Sequence, residues 1–259
     1  TGNGFAAVVD ARGETLALYS DGTPPKASFD WLGNAGETGY WLHDVNGTTP
    51  LPITNFKEGR KVVYTFVPGN LTELIRSFGC LPVLPEINAL QSGMRGKSKD
   101  YIATAEKLGH SEDVCTYVKC DVGMLRSGNV GPTGTRLPKP DLLLLSYTGC
   151  FTFMKWFELL REEYDCPCVF LHVPYQGEGR IEPEHRDYMV RQIREEVIPA
   201  LERISGRKYD EERLKELLRL SVQAEDDLVW VLESAKNRPS PIDAYFGGVY
   251  YIGPIFTAF

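Results

Sequence analysis

The sequence predicts an α/β fold: a doubly wound, mostly parallel, Rossmann-like sheet with long helices towards the C-terminus of the chain. Three observations predict it. From Val62 onward, short β-branched or apolar runs alternate with segments of helical period. The run Leu142-Leu143-Leu144-Leu145 is apolar at every position, which is the pattern of a strand buried on both faces. Glycine and proline punctuate the junctions between these segments.

Residues 1–52 read differently. Phe5-Ala6-Ala7-Val8-Val9 and Thr15-Leu16-Ala17-Leu18-Tyr19 flank the polar, Gly-bearing Asp10-Ala11-Arg12-Gly13-Glu14, a hairpin pattern. No helical period follows it. The α/β pattern opens with a strand over 62–67, and Pro68-Gly69 turns the chain. Asn70 is the expected N-cap, with Glu73 in the capping position three residues on. Leu71, Leu74, Ile75 and Phe78 share one helical face, and Gly79 ends the helix. A strand over 81–84 comes next. Ser98 is the expected cap of a helix with Tyr101, Ile102, Ala105 and Leu108 on one face and Gly109 as its stop. A short helix or turn is expected over 113–119, and a Gly- and Pro-rich loop over 128–139. Then come a strand over 141–146, a helix over Phe151–Tyr164 and a strand over 168–173. Two long helices, over 183–205 and 210–236, close the pattern, with Pro199 expected to kink the first. In such sheets sites form beyond the C-terminal ends of strands. That rule points to the turns at 68–70, 146–150 and 174–179.

The chain has 259 residues, of which 42% are hydrophobic and 24% charged, enough to bury a core in one or two domains. We divide it into a β-rich N-terminal segment of unknown role, 1–52, and an α/β domain, 53–259, truncated at its C-terminus. A formal net charge of −7 offers no basic footprint for a nucleic-acid backbone. No apolar run reaches the roughly 18 residues that suggest a membrane span. Thr1-Gly2-Asn3-Gly4 carries neither an initiator Met nor a signal segment. Residues 247–256 are apolar and aromatic, where natural ends are usually polar. The expectation is a cytoplasmic chain, cut from something longer, with no nucleic-acid or membrane partner.

Six cysteines are present. In a reducing compartment, cysteine clusters lean towards metal or catalysis, whereas a single cysteine is commonly a small buried hydrophobe. Cys150 closes Ser146-Tyr147-Thr148-Gly149-Cys150, just past a predicted strand, and opens a helix. Helix N-termini favour thiolate, the form that binds iron, and Gly149 permits close backbone approach. An inert cysteine at a strand–helix corner is the equal alternative. Cys115 lies in Glu112-Asp113-Val114-Cys115-Thr116-Tyr117-Val118-Lys119-Cys120, a polar-to-apolar transition where a helix can present a ligand. Cys120 falls on a different helical face. No CxxC pair occurs, which argues against a zinc ribbon or a ferredoxin-like site. Cys166 and Cys168 precede a strand, at the sheet edge opposite the expected site, and Cys80 begins one. All three are read as packing. His110, His172 and His185 are scattered, and His172, within an apolar strand, is read as a hydrogen-bonded core residue. Residues 127–134 are Gly-rich but lack the Gly-Lys-Ser/Thr of a phosphate loop. No nucleophile elbow or dinucleotide fingerprint is present. The aromatics beside Cys150, namely Tyr147, Phe151, Phe153 and Trp156, are either pocket walls or core.

The stretch Val67-Pro68-Gly69-Asn70-Leu71-Thr72-Glu73-Leu74-Ile75-Arg76-Ser77-Phe78-Gly79-Cys80-Leu81-Pro82-Val83 resembles the opening of the 2-hydroxyacyl-CoA dehydratase and benzoyl-CoA reductase superfamily. Four further stretches look like the B-type subunit of its benzoyl-CoA reductase branch. They are Leu84-Pro85-Glu86-Ile87-Asn88-Ala89-Leu90-Gln91-Ser92, the run from Gly109 to Asp121 around Cys115, the run from Ser146 to Glu158 around Cys150, and Ile242-Asp243-Ala244-Tyr245-Phe246-Gly247-Gly248-Val249-Tyr250-Tyr251. The resemblance covers about residues 60–259, and residues 1–52 do not match it.

The resemblance implies an oxidoreductase subunit that dearomatises benzoyl-CoA, or a close analogue, with electrons from ferredoxin. It implies a [4Fe-4S] cluster held through three cysteines. The first follows an acidic residue and precedes an aromatic, as Cys115 does. The second ends a strand, as Cys150 does. The third lies downstream of this chain. The implied partners are a second cluster-bearing catalytic subunit, ATPase activator subunits and ferredoxin. ATP would be handled by those partners, since this chain has no ATP-binding motif. The rival enzyme reading is a radical 2-hydroxyacyl-CoA dehydratase subunit, which eliminates water instead of reducing a ring. A third reading is a non-catalytic electron-transfer subunit.

Overall fold

The computed structural model describes residues 60–66, 71–131, 136–147, 150–175 and 179–243, except the side chain of Leu228, and five short strands before residue 53. Those five form two small antiparallel sheets. β1 (Ala6–Val9) pairs with β2 (Thr15–Leu18), as the hairpin pattern predicts, with Ala6 opposite Leu18 and Val9 opposite Thr15. β3 (Ala27–Asp30), β4 (Trp41–Asp44) and β5 (Pro50–Pro52) form the other, in that order.

The larger part is α/β. β6 (Val62–Tyr64), α1 (Thr72–Ser77), β7 (Leu81–Val83), α2 (Pro85–Met94), α3 (Ser98–Lys107) and α4 (Thr116–Arg126) come first. They are followed by β8 (Leu142–Tyr147), α5 (Phe151–Tyr164), β9 (Cys168–His172), α6 (Pro183–Gln192), α7 (Ile198–Ser205) and α8 (Glu211–Glu233). The sheet order is β7-β6-β8-β9, and every pairing is parallel. From β6 the chain moves outward to β7, then crosses back to β8 on the other side. The topological switch therefore lies between β6 and β8.

Alternate residues of β8 explain its unbroken apolar run. Leu143 and Leu145 join a core with Tyr64, Phe66, Val118, Val122, Trp156, Phe157 and Leu160. Leu142 and Leu144 join the opposite core, with Ile75, Phe78, Val197 and Leu201. Helices cover both faces, so neither set of side chains meets water. Burying each such leucine contributes roughly 1.5–3 kcal/mol.

Several boundaries differ from the expectations. Asn70 lies outside the described residues. Leu71 stands at the cap position of α1, and its carbonyl accepts from Ile75 N–H at 2.8 Å. The Glu73 carboxylate accepts the Ser221 hydroxyl at 2.7 Å, tying α1 to α8. Ser98 is the first helical residue of α3, with Lys97 at the cap. The short element expected over 113–119 is the full helix α4. No sequence pattern announces α2. It buries Asn88, Gln91 and Ser92 alongside Ile87 and Ala89, so its polar residues hide the apolar period. Gly79 and Gly109 do stop their helices, with φ of 73° and 98°.

Pro199 does not simply kink a helix. Between α6 and α7 the residues Ile193–Val197 form a π-helical turn, and Pro199 sits in the first turn of α7, where its missing N–H costs least. α8 begins at Asp210, whose carboxylate accepts Arg213 N–H at 3.0 Å, and ends in a 3-10 turn over Ser234–Lys236. Replacing Asp210 with Ala is expected to cost about 1 kcal/mol, measured as a fall in Tm of roughly 2–4 °C. Among the described residues no helix is long and apolar enough to cross a membrane.

Candidate functional site

Cys115 and Cys150 occupy equivalent positions in two helices. Each is the residue immediately before its helix, α4 and α5 respectively, and each is exposed. Their backbone carbonyls join the first turns, Cys115 accepting from Lys119 N–H at 3.2 Å and Cys150 from Phe153 N–H at 3.1 Å. Neither side chain makes a capping hydrogen bond, so among the described residues both thiols stand uncommitted beside helix N-termini.

α4 and α5 run side by side in the same direction. Trp156 Nε1–H donates to Asp121 Oδ2 at 2.6 Å. Each of these two residues lies six positions past its cysteine (115 to 121, 150 to 156). Further along, Arg126 pairs with Glu163 at 2.7 Å. The contacting partners advance together along both helices, as they do only in a parallel pair. The N-termini, and with them Cys115 and Cys150, therefore lie at one end. Because α5 leads from β8 back to the start of the parallel β9, that end is the one beyond the strand C-termini.

The approach to Cys115 is pinned by Lys119. Its buried ammonium donates to Glu106 Oε1 on α3 at 2.7 Å and to the Glu112 carbonyl at 2.8 Å, fastening the loop ahead of the cysteine. Beyond β8, Tyr147 contacts Phe151, the residue after Cys150, with ring centroids 5.8 Å apart. Of the four aromatics expected as walls or core, Trp156 is buried and Phe153 stacks on Phe66 at 4.2 Å, so both belong to the core. Phe151, 75% exposed, and Tyr147 belong to the open edge. The expected turn at 68–70, with Thr148, Gly149 and residues 176–178, lies outside the described residues.

The other cysteines divide. Cys80 and Cys120 are buried, and burial pushes both thiols up to about 11. Cys166 is half-buried against the core under α5 and is likewise pushed up to about 11, first by burial and then by Cys168, Asp141 and Asp165. These thiols stay protonated near neutrality and are poor ligands. Cys168 departs from the packing expectation. It is exposed: among the described strands β9 is outermost, with a single fully buried residue, Leu171.

His172 also departs from its expectation. It is exposed rather than in the core, at the C-terminal end of β9 and opposite Tyr147 in the register. Its backbone N–H donates to Gln192 Oε1, and its carbonyl accepts from Gln192 Nε2, both at 2.9 Å. Sequence reasoning missed two further residues. Gln192 lies in a polar helix without a motif. Asp121, fully buried between α4 and α5, has its carboxyl pushed up to about 7 by burial, against the Trp156 hydrogen bond. A charged residue between apolar helical neighbours (Val118, Val122, Leu125) was the available signal for it. Among the described residues, no three His, Cys, Asp or Glu side chains gather to hold a metal ion.

The family model described as 2-hydroxyglutaryl-CoA dehydratase, D-component, matches residues 65–258. The chain belongs to this family. The B-type subunit of benzoyl-CoA reductase from Thauera aromatica is 66% identical over 208 residues, which are 80% of this chain and 48% of that protein. Two dehydratase-family relatives are more distant. The (R)-2-hydroxyisocaproyl-CoA dehydratase alpha subunit of Clostridioides difficile is 30% identical over 73% of this chain and 46% of its own length. The (R)-phenyllactyl-CoA dehydratase alpha subunit of Clostridium sporogenes is 27% identical over 67% and 42%. The chain spans about half the length of the curated relatives it matches.

Proposed function

We propose that this chain belongs to the catalytic iron–sulfur subunit of an ATP-dependent benzoyl-CoA reductase, which dearomatises benzoyl-CoA or an analogue with electrons from ferredoxin. One observation carries the reading: two exposed thiols, Cys115 and Cys150, stand at the N-termini of parallel helices at the same end of the sheet. They suit two of the three thiolate positions of a [4Fe-4S] cluster, with the third ligand supplied from outside the described residues. Bound there, a cluster supplies single electrons at a potential tuned by charge, hydrogen bonds and exclusion of solvent. The chain's own residues hold the thiols in place through Lys119 and the Asp121–Trp156 contact. Phe151 and Tyr147 present apolar faces that would shield a reacting acyl group from water. ATPase activator subunits and a second cluster-bearing subunit complete the proposed assembly, in the cytoplasm. Residues 1–52 are proposed as a separate β-rich segment.

The test is anaerobic iron and sulfide analysis with electron paramagnetic resonance on the subunit assembled with its partners, beside Cys115→Ser and Cys150→Ser. The parent is expected to carry a cubane-type signal that each substitution abolishes. Iron unchanged by both substitutions removes the ligand assignment. A second reading, a radical 2-hydroxyacyl-CoA dehydratase subunit, is favoured by the family description and the dehydratase relatives. Turnover of a 2-hydroxyacyl-CoA, with none of benzoyl-CoA, would select it.

A further inference from the structure

We propose that His172 is the proton donor to the acyl-CoA bound at this edge of the sheet, an inference that rests on the function proposed above. Tyr147, at the C-terminal end of β8, stacks on the imidazole with centroids 6.2 Å apart and planes 15° apart. Tyr188 of α6 meets it edge-on at 5.9 Å and 78°. Tyr147 also neighbours Phe170 of β9 and Phe151, beside Cys150. His172 thus stands one aromatic ring away from the segment that carries a proposed cluster ligand.

Its setting is that of a positioned donor. The paired Gln192 hydrogen bonds fix the backbone, Tyr147 lies parallel to the ring, and Tyr188 meets it in a T-shaped contact. Among the described residues neither ring nitrogen has a hydrogen-bond partner, as an edge that meets a substrate requires. A core histidine would have spent those nitrogens on protein partners.

Reduction of the ring by two electrons also needs two protons, and the electrons are the iron–sulfur donor's to supply. His172 provides one of the protons and solvent the other. An imidazolium N–H bond breaks, a ring C–H bond forms, and the neutral imidazole is reprotonated from solvent. Histidine is suited to this because it holds and releases a proton near neutral pH.

The experiment has two readouts. In the assembled complex without reductant, diethyl pyrocarbonate should carbethoxylate His172, detected by peptide mass spectrometry, and benzoyl-CoA should block that modification. In turnover, His172→Ala should lower kcat at least about 100-fold, leave KM within about threefold, leave iron content and the paramagnetic signal unchanged, and regain activity on addition of free imidazole. His172→Gln, which keeps the backbone bonds to Gln192 and fills the space, should be equally slow but not rescued. Labelling of His172 that benzoyl-CoA does not affect overturns the proposal, as does a kcat within about threefold of the parent. A parent complex that lacks iron would instead sink the function proposed above, while the protection measurement, which needs only ester binding, would still decide whether His172 meets the substrate.

Discussion

Replacing Gly123 with alanine is expected to destabilise the protein by about 3 kcal/mol, the upper end of the usual range for overpacking, lowering Tm by roughly 6–12 °C. Gly123 lies where α4 crosses α3. A Cβ built there would meet the Tyr101 carbonyl oxygen at 2.0 Å and its carbonyl carbon at 2.5 Å. Both atoms are backbone, so no rotamer change relieves the clash and the two helices must separate. Separation would also disturb Lys119, whose bond to Glu106 joins the same two helices. Helix propensity alone argues the other way, since alanine is favoured over glycine by about 1 kcal/mol in a helix interior. Gly93, in α2, isolates that term, because a Cβ there has nothing within 4 Å. Gly93→Ala should therefore gain about 0.5–1 kcal/mol. Thermal unfolding of the two variants should move in opposite directions. A rise in Tm for both would show that the crossing has slack.

The second large effect is a dependence on pH. The Asp121 carboxyl is pushed up to about 7 in the folded chain by burial, against an ordinary carboxylate value near 4 in the unfolded chain. Between those values the unfolded chain has lost a proton that the folded chain keeps, so stability falls as pH rises. The contribution is complete below about pH 4 and is gone once pH passes about 7. The whole excursion is roughly 4 kcal/mol. The substitution Asp121→Asn keeps an oxygen for the Trp156 N–H and removes the titration. Tm measured from about pH 5 to pH 8 should fall for the parent and change much less for Asp121→Asn. Parallel curves would show that water reaches this carboxyl.

Much of the fold is legible in the sequence because burial leaves a periodic trace. Leu142 to Leu145 announce a strand covered on both faces, and the bounds of α5 can be read to the residue because Phe153, Trp156, Phe157 and Leu160 repeat at helical spacing. Elements escape or look shorter where polar side chains are buried. Asn88, Gln91 and Ser92 conceal α2, and Lys119 and Asp121 interrupt the apolar face of α4. The position of Cys150 at a helix start is readable from the local pattern, whereas Cys115, expected within a short element over 113–119, stands at the start of α4. That the two starts face the same way depends on Trp156 reaching Asp121, a contact 35 residues apart in sequence, which no local pattern contains. The expectation for His172 fails because an apolar strand reads as an interior one. Strand order is a property of the whole sheet, and among the described strands β9 is its rim.

That rim has a consequence for what can join the sheet. An outer strand ordinarily offers a row of open N–H and C=O groups to any passing chain. At His172 both are taken by the planar amide of Gln192, which supplies one acceptor and one donor as a neighbouring peptide unit would. The π-helical turn that starts at the next residue lets one rod of helix send Gln192 to the rim and Val197 and Leu201 into the core. A single side chain thus impersonates the fifth strand. Any segment laid along β9 must first evict it, and one laid along β7 meets Pro82, which offers no N–H on the open side.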